Sequence, residues 1–110
     1  MNSYSHIILF KFKPDVNVEK AEALMRGIGR LQREIKEIKN YIFGRNDDDN
    51  PHNDGFEYSF VMSFKSKEDR EKYQHHPMHQ AYIAEVLEPY VDKAIVFDFE
   101  SKTDSLEALA

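Results

Sequence analysis

Residues 56–65 alternate without a break, with Phe56, Tyr58, Phe60, Met62 and Phe64 on one side and Glu57, Ser59, Val61, Ser63 and Lys65 on the other. A period of two marks a strand with one buried face. Large apolar side chains repeated this way need an apolar layer laid across them. The opposite face is polar around Val61, so the sheet holding this strand takes helices on one side only. Residues 6–13 repeat the pattern, with His6, Ile8, Phe10 and Phe12 facing the core and Ile7, Leu9, Lys11 and Lys13 facing away. Residues 41–44 and 94–99 read as two further strands.

The cover comes from between the strands. Residues 18–39 place Val18, Ala21, Leu24, Met25, Ile28, Leu31, Ile35 and Ile38 at steps of three and four, the spacing of an amphipathic helix, with Asn17 as its cap. Gly27 and Gly29 inside it each cost about 1 kcal/mol relative to alanine, which predicts close packing against a sheet or a partner. Ser66, with Asp69 three residues on, starts a helix that ends near Tyr73. Pro77 starts another, running through Ala81, Tyr82, Val86 and Leu87 towards Tyr90. Residues 46–55 are a polar loop and 101–110 a polar tail.

The order strand, long helix, two strands, short helices, strand predicts an α+β domain over residues 1–100: a four-stranded antiparallel sheet with helices on one face. The bare face is left for a copy of the same chain. At 110 residues there is room for one core. A net charge of −5 with scattered Lys and Arg argues against nucleic acid. Cysteine is absent, which removes disulfides, thiol catalysis and thiolate metal sites. No stretch approaches the ~20 apolar residues of a membrane span. Met1–Ser5 lacks the basic start of a signal peptide, so a cytoplasmic location is expected.

Chemistry concentrates in Tyr73-Gln74-His75-His76-Pro77-Met78-His79. Proline suits the first helical position, making His76 the cap and putting His79 in the first turn. The positive end of the helix dipole disfavours an imidazolium there, so His79 stays neutral and able to accept a proton. A base that removes a proton next to a carbonyl also needs an oxyanion donor and exclusion of water. Tyr73 or Tyr58 offers the donor, and the aromatic face of residues 56–65 the exclusion. The plainer alternative has His76 and His79 capping a helix and binding carbonyls.

A metal site is not expected, because Pro77 separates His75 from His79 and zinc wants three or four fixed ligands. The acidic loop imitates calcium-loop spacing at Asn46, Asp48, Asn50, Asp54 and Glu57, but Pro51 occupies the glycine position and strands flank it. No cofactor is expected.

His-Ile-Ile-Leu-Phe-Lys-Phe-Lys-Pro-Asp at 6–15, Phe-Gly at 43–44, Phe-Val-Met-Ser-Phe-Lys-Ser-Lys-Glu-Asp at 60–69, His-Pro-Met-His at 76–79 and Ile-Val-Phe-Asp-Phe at 95–99 resemble the stress-responsive dimeric α/β-barrel (Dabb) domain family. The likeness covers residues 5–100. It implies a ferredoxin-like fold and a homodimer whose two sheets form a barrel. Most members of the family have no assigned reaction. Its catalytic members include plant polyketide cyclases, which close a linear poly-β-keto thioester by an intramolecular aldol step. By that resemblance His79 is the general base, Tyr73 its supporting tyrosine and His6 the histidine of the first strand. Ile8, Phe10, Leu24, Met25, Ile28 and Phe60 would line an apolar pocket, with Tyr90 where the cyclases carry a tryptophan. Leu24, Met25 and Ile28 replace aromatic residues of the cyclases, so the pocket is reshaped. Two functions follow: a cyclase or lyase acting on a carbonyl compound that is small, apolar or polyketide-like, or a non-catalytic stress-response or ligand-binding protein with structural histidines.

Overall fold

The structure is a computed structural model that describes residues 3–102; the expected tail lies outside these from residue 103 onward. The elements run β1 (Tyr4–Phe12), α1 (Val18–Arg30), β2 (Ile38–Arg45), β3 (Tyr58–Phe64), α2 (Lys67–His75), α3 (Pro77–Tyr82) and β4 (Val91–Glu100). The sheet order is β2-β3-β1-β4, antiparallel at every pairing. This is the ferredoxin-like arrangement, with the helices packed on one face. Asn17, Ser66 and His76 cap the three helices through their side chains, accepting from the backbone N–H of Lys20, Asp69 and Met78.

The expected long helix over 18–39 stops at Arg30. A 3-10 turn follows at Leu31–Arg33, and Ile38 already opens β2, paired with Phe64. Ile35 and Ile38 are nevertheless buried. One core receives side chains from helix, turn and strand alike, so apolar spacing by itself did not mark where the helix ends. Likewise the helix expected from Pro77 to Tyr90 changes to a π turn at Ile83–Leu87 and a 3-10 turn at Glu88–Tyr90.

The α1 glycines are explained by two tyrosines. The Tyr82 hydroxyl donates to the Leu24 carbonyl at 2.7 Å, and the Tyr41 hydroxyl donates to the Met25 carbonyl at 2.6 Å. A Cβ on Gly27 would stand 2.0 Å from the Tyr82 oxygen, and one on Gly29 would stand 2.8 Å from the Tyr41 ring. Gly27→Ala is therefore expected to lower the melting temperature, although alanine alone would add about 1 kcal/mol of helix propensity. In a Tyr82→Leu background the same change should cost much less, and equal costs in both backgrounds would show that Tyr82 is not the obstacle.

The open face of the sheet is more apolar than strand-by-strand reading implies. Register aligns Phe97, Ile7, Val61 and Ile42 in one row across all four strands. Ile42, Ile95, Phe97 and Phe99 are exposed on it. On the helix side, Val96 stands opposite Ile8 and is 55% exposed, so the helices leave this part of β4 uncovered. Among the described residues no helix is long and apolar enough to cross a membrane.

Candidate functional site

Helix α2 ends with carbonyls that have no partner further along the helix. The Gln74 carbonyl meets the His79 ring, with Nδ1 3.0 Å from the oxygen. A carbonyl only accepts, so Nδ1 carries the proton and Nε2 is left with a free lone pair. The connection is made by the kink at His76, whose Nδ1 accepts from the Met78 N–H at 3.1 Å. Burial lowers the His79 pKa below its ordinary 6.5; the Gln74 carbonyl opposes this, and His6 and His76 add to it.

Tyr73 lies under this imidazole. Its ring centroid is 4.2 Å from that of His79 and 6.0 Å from that of His6. It is 2% exposed, and burial pushes its phenol pKa up, so the hydroxyl remains a donor. The three residues expected at the site are thus brought together, from β1, α2 and α3. Tyr58, the other donor considered, is turned away: its hydroxyl is 3.3 Å from the Glu22 carboxylate and its ring packs on Phe12.

His6 is held by two residues that sequence reasoning missed. Its Nδ1 lies 2.5 Å from Asp98 Oδ1, and Asp98 Oδ2 lies 3.3 Å from Arg70 Nη2. The carboxylate accepts a hydrogen bond from the Nδ1–H of the neutral imidazole, which leaves the His6 Nε2 with a lone pair as well. Burial is the main influence on His6 and lowers its pKa; Asp98 raises it and Arg70 lowers it. Arg70 also donates to Gln74 and sits over the Tyr4 ring, while its Nε is buried with no hydrogen-bond partner among the described residues. A signal for Asp98 was available. In the alternation Ala94, Val96, Asp98 against Ile95, Phe97, Phe99, it is a carboxylate on the helix-side face of an apolar run, directly opposite His6. Arg70 stands one turn before Tyr73, on the same side of α2.

The expected lining residues fall differently. Phe10, Leu24, Met25, Ile28 and Phe60 are buried in the core, while Ile8 and Tyr90 are half-buried at its margin. The Lys20 ammonium sits 4.4 Å from the Tyr90 ring centroid. Cavities of about 520, 530 and 260 Å³ open among the described residues, the third beside Ser3, Lys65 and Glu68. Phe60 reaches the first, with Leu9, Ile42, Gly44 and Val61; Arg26, Arg30 and Arg33 line the second. None of the three is lined by His6, Tyr73 or His79. Among the described residues no group of three His, Cys, Asp or Glu is arranged to hold a metal ion. The loop side chains of Asp47, Asn50 and Asn53 instead accept from backbone N–H groups two residues on.

The two lowered histidines set a direction for stability. A folded pKa below 6.5 means the unfolded chain binds more protons as pH falls past that value. The stabilisation is complete above 6.5 and is lost as pH drops through the folded values. Melting temperature is expected to fall on acidification from neutral pH, and less steeply in a His6→Gln variant. Parallel curves for the two proteins would remove His6 from this role.

Comparison with known proteins agrees with this architecture. The chain is 31% identical to the stress-response A/B barrel domain-containing protein HS1 of Arabidopsis thaliana over 101 residues, 92% of each chain. It is 23% identical to olivetolic acid cyclase of Cannabis sativa over 94 residues, which is 86% of this chain and 92% of the cyclase. A dimeric ferredoxin-like protein of unknown function from Thermobifida fusca superposes with a TM-score of 0.74 at 26% identity, covering 89% of this chain and 90% of that one. The stress-responsive A/B barrel domain model matches residues 5–101, the span that holds the sheet, the helices and every site residue above, and the chain belongs to that family.

Proposed function

We propose that this chain is a cytoplasmic homodimer and a cyclase- or lyase-type enzyme that forms or breaks a carbon–carbon bond next to a carbonyl in an apolar or polyketide-like substrate. His79 is the general base, its Nε2 taking the proton alpha to the carbonyl. Tyr73 orients the imidazole and donates to the developing enolate oxygen, and His6 completes the site. One observation carries the reading: two neutral imidazoles in ring contact with the same buried tyrosine, each with Nδ1 committed and Nε2 free. The relationship to olivetolic acid cyclase adds support for the class of reaction and none for the substrate, because Leu24, Met25 and Ile28 are packed in the core. The test is enzyme-dependent exchange of the alpha protons of an apolar β-keto thioester in deuterated buffer, followed by NMR. Exchange at the buffer rate would sink it.

A second reading has an observation of its own. None of these three cavities is lined by His6 or His79, as fits a non-catalytic stress-response or ligand-binding protein in which they are structural. On that reading a His79 variant loses stability and no reaction.

The dimer part of the proposal rests on the apolar row Phe97–Ile7–Val61–Ile42 and on the dimeric state of the Thermobifida protein. An obligate interface should bury roughly 2,000 Å² or more. Sedimentation is expected to give twice the chain mass of 13.0 kDa at micromolar concentration, with a Phe97→Asp variant sedimenting as monomer. A stable monomer of the unsubstituted chain would refute it.

A further inference from the structure

The second cavity, about 530 Å³, opens where α1 ends, beside β2. Its rim holds Arg26, Arg30 and Arg33, spaced by four and three, which puts three guanidinium groups on one side of the helix and the turn after it. Its floor is Tyr41 and Phe43, with ring centroids 6.1 Å apart. The Tyr41 ring is fixed by its hydroxyl bond to the Met25 carbonyl, and Arg26 lies 5.7 Å from the centre of the Phe43 ring. Gln32 completes the polar lining, and no carboxylate is part of it. In a chain of net charge −5 this is a local reversal of sign.

Two ordinary explanations account for little of it. Arginines often neutralise nearby carboxylates, but only Arg26 has one, Glu22 at 3.3 Å. Arg30 and Arg33 make no ion pair or hydrogen bond among the described residues. Arginines also gather at helix C-termini to meet bare carbonyls. Here the Gln32 side chain takes the Gly29 carbonyl at 2.8 Å, so the guanidinium groups are not used for that purpose.

We propose that this pocket binds a small phosphorylated molecule carrying a flat ring, a mononucleotide in shape and charge. Guanidinium forks match phosphate oxygens in bidentate geometry. A fixed aromatic floor between them offers a face on which a ring can stack. The volume lies within the range of small-molecule sites, and the acidic remainder of the chain disfavours a long polyanion.

The probes are ADP and inorganic pyrophosphate, each titrated into the intact protein at low salt while the arginine Nε–H resonances are followed by NMR. Saturable shifts confined to Arg26, Arg30 and Arg33 are expected, with ADP binding several-fold more tightly than pyrophosphate. Arg30→Gln and Arg33→Gln should each weaken ADP by roughly fivefold, the effect of a charge-assisted bond reduced by exposure. Arg30→Lys, which keeps the charge and loses the fork, should fall between. The side chains are exposed, so unchanged melting curves are expected for all three variants. Absence of saturation with either probe, equal affinity for both, or ADP affinity indifferent to the arginine variants would each overturn the proposal.

Discussion

Phe60→Ala is expected to destabilise the protein by about 3–5 kcal/mol, the cost of emptying an aromatic site that cannot collapse. Phe60 is central on the helix-side face of β3, paired with Ile8 on one side and Phe43 on the other. Its ring meets those of His6, Phe10 and Tyr41 at centroid distances of 5.6, 5.9 and 5.3 Å. Side chains of both neighbouring strands, β1 and β2, thus pack on this one ring, and neither strand can move inward without breaking its register. Domains of this size are stable by roughly 5–15 kcal/mol, so one truncation removes a large share of the total. Urea unfolding should show the midpoint falling with little change in slope. A midpoint that hardly moves would mean that the adjoining cavity already leaves Phe60 poorly packed. His6 leans on the same ring, so the variant should also loosen the His6–Asp98 pair; NMR of the His6 imidazole reads this separately.

Much of this fold could be read from the sequence because its strands obey a period of two and its caps are the residues that accept backbone N–H bonds. Tyr58–Phe64, Asn17, Ser66 and His76 are instances. The C-terminal limit of α1 was not legible, for a physical reason. Leu31, Ile35 and Ile38 are all core residues, and a turn followed by a strand buries them as well as a helix would. The choice is made by partners far along the chain: Phe64 receives Ile38, and the Tyr41 ring takes the space beside Gly29. The site divides in the same way. His79, Tyr73 and His6 carry chemistry in their side chains and in the proline beside them. Asp98 and Arg70 acquire theirs only when β4 pairs with β1 and α2 packs on the sheet beside it, which brings the guanidinium to the carboxylate. Likewise the apolar row on the open face exists only after register joins Phe97, Ile7, Val61 and Ile42, each of which is unremarkable within its own strand.

If the proposed chemistry holds, His79→Ala is expected to abolish alpha-proton exchange while leaving the fold and the sedimentation behaviour nearly unchanged. Removal of a positioned general base typically costs 10²–10⁴ in rate, so roughly 3–5 kcal/mol of transition-state stabilisation disappears. The structural loss is far smaller. The imidazole makes one bond, to the Gln74 carbonyl, and sits half-exposed on Tyr73. A single neutral hydrogen bond contributes about 0.5–1.5 kcal/mol net, and water can replace this one. Rate and stability are thereby separated by the geometry. His6 offers the contrast: it is buried, and it faces Asp98 on β4, Arg70 on α2, Tyr73 on α2 and Phe60 on β3. Its replacement by alanine should therefore lower both. The pH dependence follows from the same contacts. Because burial holds His79 below 6.5, exchange should be on a plateau at neutral pH and decline only in more acidic buffer, as Nε2 gains its proton. A rate still climbing above 6.5, or an alanine variant that melts early yet exchanges as fast as its parent, would assign the proton transfer to another group and leave His79 a structural residue.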